Sequence, residues 1–184
     1  MTLRIIGGRL KRKKILSVEG RQTRPTSDRV RESIFNILFN QIEGRCVLDL
    51  FAGTGALGIE ALSRGAFSCT FVDNSRPALS ILKKNIESCH LNEKAQIINW
   101  DICKNLSFLQ TTQPIIDLVF MDPPYHSDLI VITLRHLSET HAMKEEAMIV
   151  IEHATDETLP DMISGYRKTD TRRYGKTAIT ILMT

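Results

Sequence analysis

The chain has 184 residues, 42% of them hydrophobic, and a formal net charge of +3. This length is typical of one domain with a sizeable core, and it leaves no room for a separate target-recognition domain. The first residues are polar and basic and no long apolar stretch follows, so we expect a soluble cytoplasmic protein rather than an exported or membrane-spanning one.

The first part of the chain is strongly basic. Residues 1–31 contain ten Lys or Arg against two acids, a net charge of +8, so the remainder carries −5. Apolar residues interrupt this run, and with Gly7-Gly8 as a turn the pattern predicts an ordered hairpin, an arm of residues 1–26, rather than a solvated tail. Concentrated positive charge is typical of proteins that bind nucleic-acid phosphates. A second basic cluster near the end would extend that surface: Arg167, Lys168, Arg172, Arg173 and Lys176.

Strands and helices alternate through residues 27–184, which we predict to form the main domain. The predicted strands lie near 46–51, 69–73, 96–100, 116–121, 147–152, 166–173 and 177–183, and the predicted helices near 27–40, 55–64, 76–89, 128–138 and 156–163. This order predicts an α/β fold with a doubly wound, mostly parallel, seven-stranded Rossmann-like sheet and helices on both faces. Ligands bind such sheets at the carboxyl ends of the strands.

A glycine-rich turn follows the first strand of this domain. Gly53, Gly55 and Gly58 match G-x-G-x-x-G, a pattern typical of nicotinamide and flavin dinucleotide sites. Asp73 ends the next strand, where that pattern places an acid on the ribose. The glycines and Asp73 are therefore compatible with either a dinucleotide or another adenosine-containing cofactor.

Asp49 separates these two cofactor classes. It lies inside the strand just before the glycines, where a carboxylate would repel a pyrophosphate. A carboxylate there suits a positively charged ligand, such as the amino group and sulfonium of S-adenosylmethionine. Asp49, the glycines and Asp73 together therefore favour S-adenosylmethionine.

The strongest chemical signal is Asp122-Pro123-Pro124-Tyr125, directly after the apolar strand near 116–121. The prolines lack N–H groups and fix a rigid turn, so carbonyls there can face outward as acceptors. Acceptors beside an aromatic ring suit an exocyclic amine on a planar base. The amine would donate to the Asp122 carboxylate and the Pro123 carbonyl while the base stacks on Tyr125. Taken alone, the tetrapeptide also fits an ordinary strand-ending turn.

Two motifs resemble those of the S-adenosylmethionine-dependent methyltransferases. Residues 47–55 resemble the first motif of these enzymes, and Asp122-Pro123-Pro124-Tyr125 resembles the fourth motif of their amino-directed branch, which acts on adenine N6, cytosine N4 or guanine N2. Over almost its whole length the chain resembles the RsmD family, the 16S rRNA guanine-N2 methyltransferases. That resemblance rests on residues 4–11, 24–32, 35–38 and 174–177.

The resemblance implies methyl transfer from S-adenosylmethionine to the N2 amine of a guanine in 16S rRNA, with the nucleotide unpaired or flipped. The implied catalytic residues are Asp122, Pro123, Pro124 and Tyr125. The implied cofactor-binding residues are Asp49, Phe51, Ala52, Gly53, Thr54, Gly55, Asp73, Asn74, Asp101 and Ile102, with Asp73 on the ribose, Asp101 on the adenine amine and Ile102 against the adenine ring. The expected RNA contacts are Arg4, Arg9, Lys11, Arg12, Lys13, Lys14 and Arg24. The expected partner is 16S rRNA, in a partly or fully assembled small subunit, and we expect a monomer.

No metal or disulfide is expected, because the four cysteines show no Cys-x-x-Cys spacing and the histidines no ligand-like spacing. Two rival functions remain. An amino-methyltransferase that acts on DNA or on another RNA base, at adenine N6, shares the chemistry, but the sequence-specific DNA enzymes usually carry an added recognition domain. A non-catalytic RNA-binding assembly factor with this fold would tolerate loss of the acceptor residues, all of which this chain retains.

Overall fold

The structure is a computed structural model that describes residues 3–17, 28–111 and 115–184. Arg24, one of the expected RNA contacts, lies outside these ranges, as does part of the motif at residues 24–32. Within the described ranges no helix is both long and apolar enough to cross a membrane.

The described residues form two sheets and four α-helices. The strands are β1 Leu3–Arg4, β2 Lys14–Ile15, β3 Cys46–Leu50, β4 Ser68–Asp73, β5 Ala95–Asn99, β6 Ile116–Met121, β7 Met143–Ala154, β8 Met162–Ile163, β9 Tyr166–Tyr174 and β10 Thr177–Met183. The helices are α1 Asp28–Ile37, α2 Ala56–Ser63, α3 Arg76–Ser88 and α4 Leu129–Ser138, with 3-10 turns at Asn92–Lys94 and Ser107–Thr111.

The main sheet has the strand order β5-β4-β3-β6-β7-β10-β9-β8. The strands from β5 to β7 pair in parallel, while β10 runs antiparallel to β7 and to β9. Parallel pairing follows from the helices that connect successive strands, and the antiparallel part follows from the tight turn between β9 and β10. The predicted α/β, mostly parallel architecture is confirmed.

Helices cover both faces of this sheet. Side chains alternate along β6, so that Leu118 and Phe120 belong to one apolar cluster and Val119 and Met121 to another. The first cluster also holds buried apolar residues of α1, α2 and α3, and the second holds buried apolar residues of α4. The two clusters therefore define a first face, under α1–α3, and a second face, under α4.

Two details of the predicted sheet are wrong. The main sheet has eight strands rather than seven, and residues 156–163 end in strand β8 rather than forming a helix. Pro160 lacks an N–H group and disfavours helical backbone at the preceding residue. Ser164 and Gly165 both have positive φ, so they form the two-residue connection that pairs β8 with β9.

The predicted N-terminal hairpin is present, with Leu3 paired to Ile15 and Arg4 to Lys14. Its glycines do not form the tip. The chain reverses between Gly8 and Lys13, and Gly8 packs instead against the end of α2. A Cβ atom on Gly8, whose φ is +70°, would lie 2.0 Å from the carbonyl oxygen of Ser63. Only glycine allows this close approach.

Candidate active site

The glycine-rich turn joins β3 to α2 at the carboxyl edge of the sheet. Gly55 stands at the start of α2 with φ +80°, and a Cβ atom there would lie 2.3 Å from Cδ1 of Leu82. A Cβ atom on Gly53 would meet no heavy atom of the described residues closer than 3.9 Å. Packing therefore explains Gly55, whereas Gly53 keeps open space beside the backbone.

Asp49 is buried beneath this turn. Its side chain lies on the first face, where Oδ2 accepts a hydrogen bond from the backbone N–H of Gly58 at 2.9 Å. Burial is the main cause that raises the pKa of Asp49 to about 8, and the charge of Asp73 adds to it, while the Gly58 bond opposes it. Without a positively charged ligand, the carboxyl group therefore holds its proton at neutral pH.

Asp73 ends β4 and closes the same turn. Its Oδ2 accepts from the N–H of Gly53 and its Oδ1 from the N–H of Ser75, both at 2.8 Å. The carboxylate thus fixes the glycine turn relative to the neighbouring strand. The sheet therefore brings Asp49, Gly53 and Asp73 together, as the order of the strands requires.

The next predicted cofactor residues line an open cleft beyond β4. Its lining is Asn74, Asn99, Trp100, Asp101, Lys104 and Asn105. Asp101 accepts from the N–H of Cys103 at 3.2 Å and pairs with Lys104 at 3.6 Å. Ile102 is buried in the apolar cluster of the second face. The cleft thus contains Asn74 and Asp101, with Ile102 in the core beside it.

The Asp122-Pro123-Pro124-Tyr125 turn leaves the carboxyl end of β6. Asp122 is half-buried, Pro123 is buried, and Tyr125 is 39% exposed. The Tyr125 hydroxyl donates to Oε1 of Glu152 and lies near Oγ1 of Thr177, both at 3.1 Å. Burial raises the pKa of Tyr125, and the charges of Glu152 and Asp122 raise it further, so the hydroxyl stays protonated. The aromatic ring is thereby held beside the acceptors.

Glu152 is a site residue that the sequence reasoning missed. It lies near the carboxyl end of β7, is 5% exposed and contacts Tyr125. A signal was present, because Glu152 ends an apolar run just as Asp73 and Asp122 do. Thr177 gave no such signal, since β10 reaches the site only through its antiparallel pairing with β7.

The N-terminal hairpin is attached to the helices that flank the glycine turn. Glu60, fully buried in α2, accepts from the N–H groups of Ile6 and Gly7 and from Nε of Arg64, each at 2.7 Å. Asn85 of α3 accepts from the N–H of Leu16 at 2.7 Å and donates to the carbonyl of Thr54 at 2.9 Å. One side chain thus joins the hairpin to the glycine turn.

The basic side chains of the hairpin face outward. The exposed residues are Arg4, Arg9, Lys11, Arg12, Lys13 and Lys14. Arg4 pairs with Asp28 at 3.0 Å, and buried Arg31 donates to Asp28 and to the carbonyl of Arg4, both at 2.7 Å. Their RNA contacts stay a prediction.

Comparison with solved structures identifies the class of fold. A structure named "Putative methyltransferase yhhF" from Escherichia coli matches with a TM-score of 0.86 and 32% identity, covering 100% of this chain and 98% of the other. The acids at the carboxyl edge therefore lie in a methyltransferase fold.

Sequence comparison identifies the family. The family model described as "Conserved hypothetical protein 95" matches residues 3–183. "Putative rRNA methyltransferase YlbH" of Bacillus subtilis is 36% identical over 97% of both chains. "Ribosomal RNA small subunit methyltransferase D" of Haemophilus influenzae is 38% identical over 85% of this chain and 81% of its own. The chain belongs to this family, the RsmD family of rRNA methyltransferases.

Proposed function

We propose that this protein transfers a methyl group from S-adenosylmethionine to the N2 amine of a guanine in 16S rRNA. The observation that carries the proposal is the Asp122–Tyr125 turn, set at the same sheet edge as Asp49 and Asp73 in a methyltransferase fold. The name of the Haemophilus influenzae relative supports small-subunit rRNA as the substrate. Such a substrate would have the protein act in the cytoplasm, on rRNA alone or in the assembling subunit.

The cofactor would lie over the glycine turn. Asp73 would accept from the ribose hydroxyls, Asp101 from the adenine amine, and Asp49 would face the positively charged methionine end. The open space beside Gly53 supports this placement, because it lets a ligand approach the backbone. When bound, S-adenosylmethionine supplies an activated methyl group on its sulfonium.

The protein would act chiefly by positioning the amine. The guanine N2 amine is a poor nucleophile because its lone pair is delocalised into the ring. Hydrogen bonds from the amine to Asp122 and to the Pro123 carbonyl would favour pyramidal nitrogen and direct the lone pair towards the methyl group. Tyr125 would stack on the flipped base, and the product would lose its extra proton after transfer.

The test is mass mapping of 16S rRNA from cells with and without the gene, together with two matched variants. Asp122→Ala should keep nearly normal cofactor affinity while methyl transfer falls by orders of magnitude, because its proposed contact is to the base. Asp73→Ala should instead weaken cofactor binding by a few kcal/mol, as loss of charged hydrogen bonds does. Calorimetry and methyl-transfer assays separate the two effects. Unchanged methylation at guanine N2 in cells lacking the gene would refute the proposal.

A further inference from the structure

Glu152 lies on β7, and Asp122 directly follows β6, the neighbouring parallel strand. Met121, the last residue of β6, pairs with Ile151 of β7, so Asp122 and Glu152 each follow one member of this pair. Neighbouring strands lie about 4.8 Å apart. The backbones of Asp122 and Glu152 are therefore at about the same level, one strand apart.

Both side chains project from the first face. Along β6, Leu118 and Phe120 belong to the first-face cluster, and the same alternation, continued one residue beyond the strand, directs Asp122 to that side. The charges of Asp122 and Glu152 both act on Tyr125, in agreement with this placement. Along β7, Met148 and Val150 belong to that cluster, and alternation places Glu152 there too. Two carboxylates would thus lie next to each other beside the proposed position of the target base.

Tyr125 connects this pair to the proposed stacking position. Its hydroxyl donates to Oε1 of Glu152 at 3.1 Å, while its own turn begins at Asp122. The residue proposed to stack on the base therefore also orients the Glu152 carboxylate. A carboxylate has about four acceptor positions, so the hydrogen bond from Tyr125 is compatible with another from a base.

Two neighbouring carboxylates fit the edge of only one of the candidate bases. Guanine presents two adjacent donors, the N1–H group and the N2 amine. Adenine and cytosine present an amine beside a ring nitrogen that carries a lone pair, which a second carboxylate would repel. Sites built to hydrogen-bond a substrate group reject analogues that lack it, because buried polar groups are left unpaired.

We propose that Glu152 selects guanine, accepting the N1–H group of the target base while Asp122 accepts from its N2 amine. This inference rests on the proposed function and deepens it. It makes Glu152 a specificity-determining residue in direct contact with the base. The alternative is that Glu152 only positions Tyr125 and does not contact the base.

The experiment compares two small-subunit substrates that differ at the methylated nucleotide, which carries either guanine or 2-aminopurine. 2-Aminopurine keeps the amine at C2, but its N1 has a lone pair in place of the hydrogen. The wild-type protein should prefer guanine in kcat/KM by about 100-fold or more. Glu152→Gln should reduce that preference at least about tenfold, because the amide can donate to N1 of 2-aminopurine.

Tyr125→Phe is the matched control, since it removes the hydrogen bond to Glu152 and leaves the carboxylate. It should lower both rates and keep the preference for guanine. Cofactor affinity, measured by calorimetry, should be normal in both variants. A normal affinity shows that the variants are folded. If turnover of Glu152→Gln is too slow to measure, the ratio of its binding affinities for the two substrates reports the preference for guanine instead.

An unchanged preference in Glu152→Gln overturns the inference and leaves Glu152 as a support for Tyr125. An equal loss of preference in Tyr125→Phe overturns it as well, because the effect then passes through the tyrosine. Failure of the proposed function is distinct from both results. In that case the wild-type protein methylates no guanine at N2.

Discussion

Asp49 links the stability of the cofactor-free protein to pH. Its pKa is about 8 in the folded protein, against an ordinary value of 3.8. Between these values the folded state keeps a proton that the unfolded chain has lost. The free energy of unfolding therefore falls as pH rises through this range, by up to about 1.4 kcal/mol per pH unit from this group.

Asp49→Asn tests this linkage. The amide oxygen can still accept the hydrogen bond from Gly58, but the side chain no longer needs a proton. Without cofactor, the variant should be more stable than the wild type at pH 8, and the difference should shrink towards pH 5. Urea denaturation at both pH values measures it. A constant difference across the range would contradict the raised pKa.

Cofactor binding should change in the opposite direction in the same variant. Because a nearby positive charge favours the ionised carboxylate, Asp49→Asn should bind S-adenosylmethionine more weakly than the wild type does. S-adenosylhomocysteine lacks the sulfonium charge, so the substitution should weaken its binding less than it weakens binding of S-adenosylmethionine. The same substitution thus stabilises the empty protein and weakens its proposed cofactor complex.

Residues at the ends of strands were predictable, whereas residues that gain their partners through tertiary packing were not. Asp49, Asp73 and Asp122 each end or interrupt a short apolar run, so the local pattern placed them at one sheet edge. Glu60 gave only a weak signal, an acid within an otherwise apolar helix. Its partners Ile6 and Gly7 lie more than fifty positions earlier in the chain.

At the scale of elements, Glu60 and Ser63 of α2 both bind the backbone of the hairpin, and the Glu60 carboxylate accepts from two of its N–H groups. Glu60→Gln should disturb the Glu60 contact, because the amide nitrogen would face a backbone N–H group as a second donor. We expect a loss of about 1–3 kcal/mol in the free energy of unfolding. Hydrogen exchange should also accelerate at the amides of Ile6 and Gly7 more than at those of β3.

Lys11→Ala is the control for this prediction, since Lys11 is exposed in the same hairpin. It should leave both the exchange pattern and the stability nearly unchanged. Uniform acceleration throughout the protein in Glu60→Gln would instead mean that the hairpin and the sheet unfold together.

The predicted type of an element was correct where several sequence signals agreed and wrong where they conflicted. The run before Asp122 is apolar, short and bounded by turn residues, and it forms β6 as predicted. Residues 156–163 have apolar spacing that fits a helix, but Pro160 and the Ser164-Gly165 turn favour extended pairing with β9. Such a conflict is decided by whether a strand edge is available, which the local sequence does not encode.

At the scale of the whole molecule, charge is divided between residues 1–31, which include the arm, and the rest of the chain, +8 against −5. If the arm docks on rRNA phosphates, replacing Arg9, Lys11, Arg12 and Lys13 with Ala should weaken RNA binding about equally across sequences. The slope of log affinity against log salt should shrink by up to about one unit per lost phosphate contact. Binding assays at several salt concentrations measure both effects.

A variant with three exposed lysines outside the arm replaced by Ala, Lys83, Lys84 and Lys94, controls for the loss of positive charge elsewhere on the protein. It should leave the slope nearly unchanged. Thermal stability and cofactor binding should survive the arm variant, because the four side chains are exposed and the hairpin is held through its backbone. A lower melting temperature with an unchanged slope would mean that the arm only stabilises the fold.

The division into an arm of residues 1–26 and a domain of residues 27–184 stays a prediction.

The short strand β8 has a consequence for self-association. It covers β9 only at Tyr166 and Arg167, so the outer edge of β9 from Thr169 to Tyr174 is not paired by any described strand. Open strand edges recruit other chains into aggregates, and charged side chains are a common protection. Asp170, Arg172 and Arg173 lie along this stretch. Replacing these arginines with apolar residues would therefore promote aggregation as well as remove positive charge.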